Sequence, residues 1–146
     1  MIKYSPTEIA RQFLYVREAG ANKGQRVEAI QKWGGGVPGD SWCCWFATMD
    51  LDICFQGNSP IPRTGRVQDV YDLAKKNGWL VTNPQKDDLF IYVNDADHAH
   101  HIGFVTDPGQ GIAANTSADG KSSNGDGVHE HSISAGPHVK YIRYPR

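Results

Sequence analysis

The chain has little that would commit it to a charged partner or to a bilayer. Its 15 Lys and Arg nearly balance 16 Asp and Glu, for a net charge of −1 over 146 residues. That leaves no basic footprint for nucleic acid or for an anionic membrane surface. No apolar run approaches the ~18 residues of a membrane span. The opening residues, MIKYSPTEIARQ, lack the apolar stretch of a secretory signal. Synthesis in the cytoplasm is therefore expected, and a site of action elsewhere would need delivery by something other than a cleaved signal. Cysteine is scarce too, with three residues. Cys43 and Cys44 are adjacent, and Cys54 lies about three helical turns on, ~16 Å by helix rise. A disulfide needs Cα atoms within about 7 Å, so reduced thiols are expected. The length suits one domain with a core of its own.

What is present is organised around GDSWCCWFATMDLDICF, Gly39 to Phe55. Gly39, Asp40 and Ser41 read as a turn and helix N-cap, because Asp and Ser side chains accept the unpaired amide hydrogens of a first turn. An apolar run follows and ends at Gln56-Gly57, where glycine suits a left-handed C-terminal position. Cys43 then sits in the first turn of a buried helix. Free amides and the positive end of the helix dipole favour an anionic sulfur there, so its pKa is expected to fall. Cys44 and Cys54 read as small core residues.

Upstream, Ser5-Pro6-Thr7-Glu8 is a capping box opening a helix to about Glu18, with Ile9, Phe13 and Val16 inward. A second helix runs from Gln25 to about Trp33 and stops at three glycines. Thr64 caps a fourth, which reaches about Lys76 and closes at Asn77-Gly78. From Trp79 the period shortens to that of strands, expected at Leu89–Val93, Ile102–Thr106, Gly111–Asn115, Val128–Ser134 and Val139–Arg143. Ala118 to Gly127 reads as an exposed loop. Helices first and strands afterwards predict an α+β fold, with the helices on an antiparallel sheet of about five to six strands.

A thiolate nucleophile needs a base to take its proton and return it to the leaving amine. Of six histidines, His101 alone opens an apolar strand, HIGFVT, that could aim an imidazole at the Cys43 helix. Asn115, at the end of the next strand, could supply a carbonyl to orient the ring, since neighbouring antiparallel strands bring the start of one to the end of the other.

The succession WCCWF, DDLFIYV, HIGFV and IAANTS resembles the CHAP (cysteine, histidine-dependent amidohydrolase/peptidase) domains, papain-like peptidoglycan hydrolases of phage endolysins and bacterial cell-wall enzymes. REAGANKGQRVEAIQKW resembles the segment that often precedes the cysteine helix there. Together these cover roughly residues 18 to 144. The resemblance implies Cys43 as nucleophile, His101 as base and Asn115 as orienting residue, with the Cys43 amide in an oxyanion hole. It departs from the family pattern at Ala113, where the family often has Glu, and at Cys44, where it has a small residue. The implied reaction is hydrolysis of an amide in the peptidoglycan stem, or of the N-acetylmuramoyl–L-alanine bond, with no cofactor. Trp42, Trp45 and Tyr92 are candidate groove residues. The expected state is a monomer whose partner is bacterial peptidoglycan, reached with a holin or a secretion apparatus.

Two rival readings stand. DADHAHH and HEH could supply zinc ligands from His98, His100, His129 and His131, pairs spaced to share a strand face. No HExxH helix or finger spacing accompanies them, and the Asp119–Asp126 loop lacks the calcium pattern of an EF-hand. The same fold could also carry out transamidation or deamidation, or persist as an inactive wall-binding or effector module.

Overall fold

In the computed structural model, which describes residues 1–120 and 125–146, four helices precede and cover a six-stranded antiparallel sheet. The helices are α1 (Pro6–Arg11), α2 (Gln25–Gly34), α3 (Cys43–Cys54) and α4 (Val67–Asn77). The strands are β1 (Leu80–Val81), β2 (Leu89–Val93), β3 (Ala99–Asp107), β4 (Gln110–Thr116), β5 (Gly127–Ser132) and β6 (Val139–Ile142), in the order β1-β6-β2-β3-β4-β5. The chain is α+β, as its change of period predicts. Of the expected 118–127 loop, residues 121–124 lie outside the described residues.

Alternation along the strands sorts side chains onto two faces. Leu89, Ile91, Ile102, Phe104, Ile112 and Ala114 join the main core under the helices, where Phe46 and Leu51 of α3 are also fully buried. Each of the leucine, isoleucine and phenylalanine side chains contributes about 1.5–3 kcal/mol of burial. The residues between them, Phe90, Val105 and Ala113, build a second cluster on the other face with Ile133, flanked by Tyr92, Val139 and Tyr141. No helix among the described residues is long and apolar enough to cross a membrane.

Several boundaries differ from expectation, among them the start of β3, which begins at Ala99 rather than Ile102. The first helix ends at Arg11 rather than near Glu18, because tertiary pairing competes for the backbone beyond it. Val128 donates to the Val16 carbonyl at 3.2 Å, and Glu18 donates to the Asp126 carbonyl at 2.7 Å. The capping box forms in part, with Ser5 accepting from the Glu8 amide at 3.5 Å while donating to Asp87. The fourth helix starts at Val67 because Thr64 closes a turn before it, accepting from the Arg66 amide at 3.1 Å and donating to Asp69 at 2.8 Å. The two-residue β1 carries too little pattern to stand out in sequence; it exists by pairing with β6.

Candidate active site at the start of the third helix

The loop before α3 is pinned to α2. The Gln31 side-chain amide donates to the Asn22 and Asp40 carbonyls at 2.8 Å each, and Asp40 Oδ2 accepts from the Val37 amide at 2.9 Å. Asp40 and Ser41 therefore do not cap α3. Trp42 takes that position, with no side-chain cap, and Cys43 becomes the first helical residue. Trp42 is fully buried, and its indole N–H donates to Glu18 Oε1 at 2.8 Å.

Cys43 is 2% exposed. Burial pushes its thiol pKa up, and this outweighs the Ser41 hydroxyl and the Ile102, Cys44 and Cys43 amides that lie against the sulfur and favour the thiolate. The expected lowering is thus corrected: the helix start supplies donors, but desolvation is larger and the thiol rests protonated. Cys44 is raised further, first by burial and then by Cys43 beside it. Cys54 is raised by burial and by Asp50, to whose carboxyl it donates at 3.2 Å.

Asn115 does reach this site, through Ser41. Its backbone is left-handed, at φ 54°, a conformation asparagine tolerates better than most residues. The neighbours fix which way its amide faces. The carbonyl oxygen accepts from Ser41 Oγ at 3.1 Å, and the amide nitrogen faces Glu18 Oε1, Asn22 Oδ1 and the Gly125 carbonyl, each at 3.1 Å. Glu18 Oε2 accepts from the Asn22 amide at 3.0 Å. A continuous polar chain therefore runs Trp42–Glu18–Asn115–Ser41–Cys43. Neither Glu18 nor Ser41 in this role was legible in sequence, since the partners come from separate elements and Glu18 meets Trp42 24 residues away.

His101 is placed differently. Its ring lies on the face turned away from α3, stacked on Tyr92 at 5.6 Å between centroids and 27° between planes, beside Phe90 at 6.2 Å. It is fully buried, and neither ring nitrogen has a hydrogen-bond partner. Burial, then His131 and His100, press its pKa down to about 3. The expected Cys43–His101–Asn115 juxtaposition is corrected accordingly. Cys43 and Asn115 share a site, and His101 meets neither through its ring, although the next residue's amide, Ile102, touches the thiol. The cause is strand alternation. Ile102 and Phe104 enter the core under the helices, and His101, paired in regular register with Tyr92, falls on the opposite face; the bulge at His100 comes only before it.

The candidate groove residues also separate. Trp42 is core, and Tyr92 lies on the outer face beside a pocket of about 420 Å³ that includes His100 and His138. Trp45 lines a cleft of about 450 Å³ with Asp40, Ser41, Thr64, Gly65 and Arg66. A Cβ on Gly34 or Gly65 would fall 2.0 or 2.3 Å from the Trp45 ring, so these glycines leave the room the indole occupies. The cleft opens beside Ser41, one hydroxyl away from the thiol.

Among the described residues no three His, Cys, Asp or Glu side chains gather as metal ligands. His129 Nε2 pairs with Asp126 at 2.7 Å, His98 and His100 are exposed, and His131 is buried. No known protein-family profile matches the chain, and no curated protein sequence matches it.

Proposed function

We propose that the protein is a thiol-dependent amidohydrolase of bacterial peptidoglycan, with Cys43 as nucleophile. The observation that carries the reading is the surroundings of the Cys43 sulfur. It sits at the first residue of α3, with the Ser41 hydroxyl and the Ile102, Cys44 and Cys43 amides against it, beside a cleft that holds Trp45. Such donors at a helix start stabilise both a thiolate and the oxyanion of a tetrahedral intermediate. In the reaction the Cys43 sulfur attacks a stem-peptide amide carbonyl, the amine leaves with a proton, and water hydrolyses the thioester.

His101 serves as the base in this reading. Its main chain already borders the thiol through Ile102, and to act as base its ring leaves the stack on Tyr92 and crosses to the α3 side of the sheet. The state described above is then the resting one, with a protonated thiol and an unpartnered imidazole. Asn115 acts on the sulfur side through Ser41 rather than behind the imidazole. The substrate enters along the Trp45–Arg66 cleft. Delivery to the wall, by holin or by secretion apparatus, belongs to the same proposal.

The test is digestion of purified sacculi with identification of the released fragments by mass spectrometry, using Cys43→Ala as control. New amino termini that need Cys43 support the reading. Sacculus binding without release would instead favour a wall-binding module, a reading that the outward-facing His101 ring supports.

A further inference from the structure

The chain between α3 and α4 forms a fixed wall beside Trp45. On α3, the Thr48 hydroxyl lies 3.0 Å from the Cys44 carbonyl and 3.2 Å from the Thr64 carbonyl, and it accepts from the Thr64 amide at 3.5 Å. Arg63 donates to the Trp33 carbonyl at 2.9 Å, with its guanidinium 5.4 Å from the Trp33 ring centre. These contacts tie the segment to α2 and α3 and bring Arg66 to the cleft that holds Trp45 and Ser41. Asp69 steadies the guanidinium at 2.7 Å through one nitrogen. Arginine carries five N–H donors, so others stay open to a ligand.

The floor of the cleft is the Trp45 ring, packed against Gly34 and Gly65. A Cβ on Gly36 would fall 2.6 Å from Asp40 Oδ2 and 2.9 Å from Trp45 Nε1, so a carboxylate and an indole N–H border the same spot. That N–H, unlike the one on Trp42, donates to none of the described residues. Arg66, next to Gly65, adds a cation. The set matches a peptide unit that carries a free carboxylate. Its N–H meets Asp40, its carbonyl accepts from Trp45, and its carboxylate takes charge-assisted bonds from Arg66. Beyond Thr64 a second cavity of about 280 Å³, walled by Ile61, Pro62, Val70 and Leu73, suits a small apolar side chain farther along the same peptide.

We propose that Arg66 is a specificity-determining residue: with Trp45 and Asp40 it selects stem peptides whose glutamate keeps a free α-carboxylate over those in which that group is amidated. The choice of ligand rests on the hydrolase reading, whereas the recognition needs only the cleft. The carboxylate and the carboxamide have the same shape, so the difference between them falls on the one cation in the cleft.

The experiment titrates two probes, L-Ala-γ-D-Glu-L-Lys and its α-carboxamide twin, into Cys43→Ala, which binds without turnover. The readout is the indole N–H resonance of Trp45 in nitrogen-15-labelled protein, assigned by Trp45→Phe among the four tryptophans. The free acid moves that resonance and binds about tenfold more tightly than the carboxamide, because hydrogen bonds between charged groups outweigh neutral ones. The gap narrows with added salt, since the guanidinium is exposed. Adding Arg66→Gln brings the two peptides to equal affinity, and Arg66→Lys keeps part of the gap, as a point charge without the planar fork. Unmoved indole resonances of Trp42 and Trp79 show that these variants keep the fold. The proposal is overturned if Cys43→Ala binds both peptides equally, if Arg66→Gln retains the preference, or if neither peptide moves the Trp45 resonance. Selective binding by a protein that digests no sacculi would remove the hydrolase reading and leave this one standing. Digestion of amidated and free-acid sacculi at one rate would do the reverse.

Discussion

The polar groups beside Cys43 and those around His101 are treated in opposite ways. Beneath α3, the polar atoms of Glu18, Asn115, Ser41 and Trp42 are joined in one hydrogen-bonded chain that ends at a thiol. Beyond the sheet, His101 lies fully buried with two unpartnered nitrogens, and His131 adds a third. A buried polar atom without a partner costs about 1–3 kcal/mol. The groups beside Cys43 form a satisfied network, although Gln31 Oε1 and Asp50 Oδ2 elsewhere among the helices have no partner, whereas the second face leaves both nitrogens of one imidazole unpaired. In the proposed reading, that asymmetry corresponds to a fixed nucleophile pocket and a base that turns to reach it.

The comparison breaks most sharply at the nucleophile. Cys43→Ala is expected to reduce sacculus digestion at least about 10³-fold, while Cys44→Ala, adjacent but buried in the core, retains it. Equal loss in both, at matched folding by circular dichroism, would remove Cys43 from its role. Next comes the imidazole. His101→Phe keeps a ring against Tyr92 and deletes both unpartnered nitrogens. Digestion should fall about 10²–10⁴-fold for want of a base, while stability in urea rises by about 1–3 kcal/mol. A variant that loses activity and stability together would mean that the imidazole is well accommodated where it is.

A third prediction follows from acid titration. His101 titrates near 3 when folded against an ordinary 6.5, so the unfolded chain binds a proton that the folded one excludes. Its contribution is complete above about pH 6.5 and is lost as pH falls toward 3, at up to about 1.4 kcal/mol per pH unit. His131, also depressed by burial, pulls in the same direction. Urea titrations at pH 5 and 7 should show the pH dependence of His101→Phe reduced by about 0.7 proton relative to the parent. An unchanged slope would place the ring in water.

The sequence made the architecture legible because period is a local property. The 3.6-residue pattern of Val67, Val70, Tyr71 and Ala74 and the β-type runs after Trp79 announce helix and strand without reference to anything distant. It also made Cys43 legible, since an apolar run after Gly39-Asp40-Ser41 locates a helix start to within two residues. The ring direction of His101 was legible as well, and the expectation passed over it: in HIGFVT, Ile102 and Phe104 alternate into the core, which turns His101 to the opposite face. What the sequence could not reveal is that burial outweighs the helix start at the thiol, because desolvation is set by Trp42, Phe46 and the sheet together. Glu18 stayed hidden for a similar reason: a carboxylate near a glycine turn reads as solvated until Trp42 and Asn115 are folded onto it.

The mildest test of the asymmetry acts on Tyr92, which holds the His101 ring outward by stacking at 5.6 Å. Aromatic pairs contribute about 0.5–1.5 kcal/mol beyond their buried area. Tyr92→Leu keeps apolar cover over Phe90 but gives up that stack, so the population of inward-turned rings should rise about two- to tenfold. An imidazole beside sulfur favours the thiolate, so alkylation of Cys43 at pH 7 should accelerate by the same factor. The acceleration should vanish in Tyr92→Leu/His101→Phe, where there is no imidazole to arrive. If the double variant reacts as fast as Tyr92→Leu, the gain came from looser packing around α3, and the outward ring is a fixture of the fold rather than a base at rest.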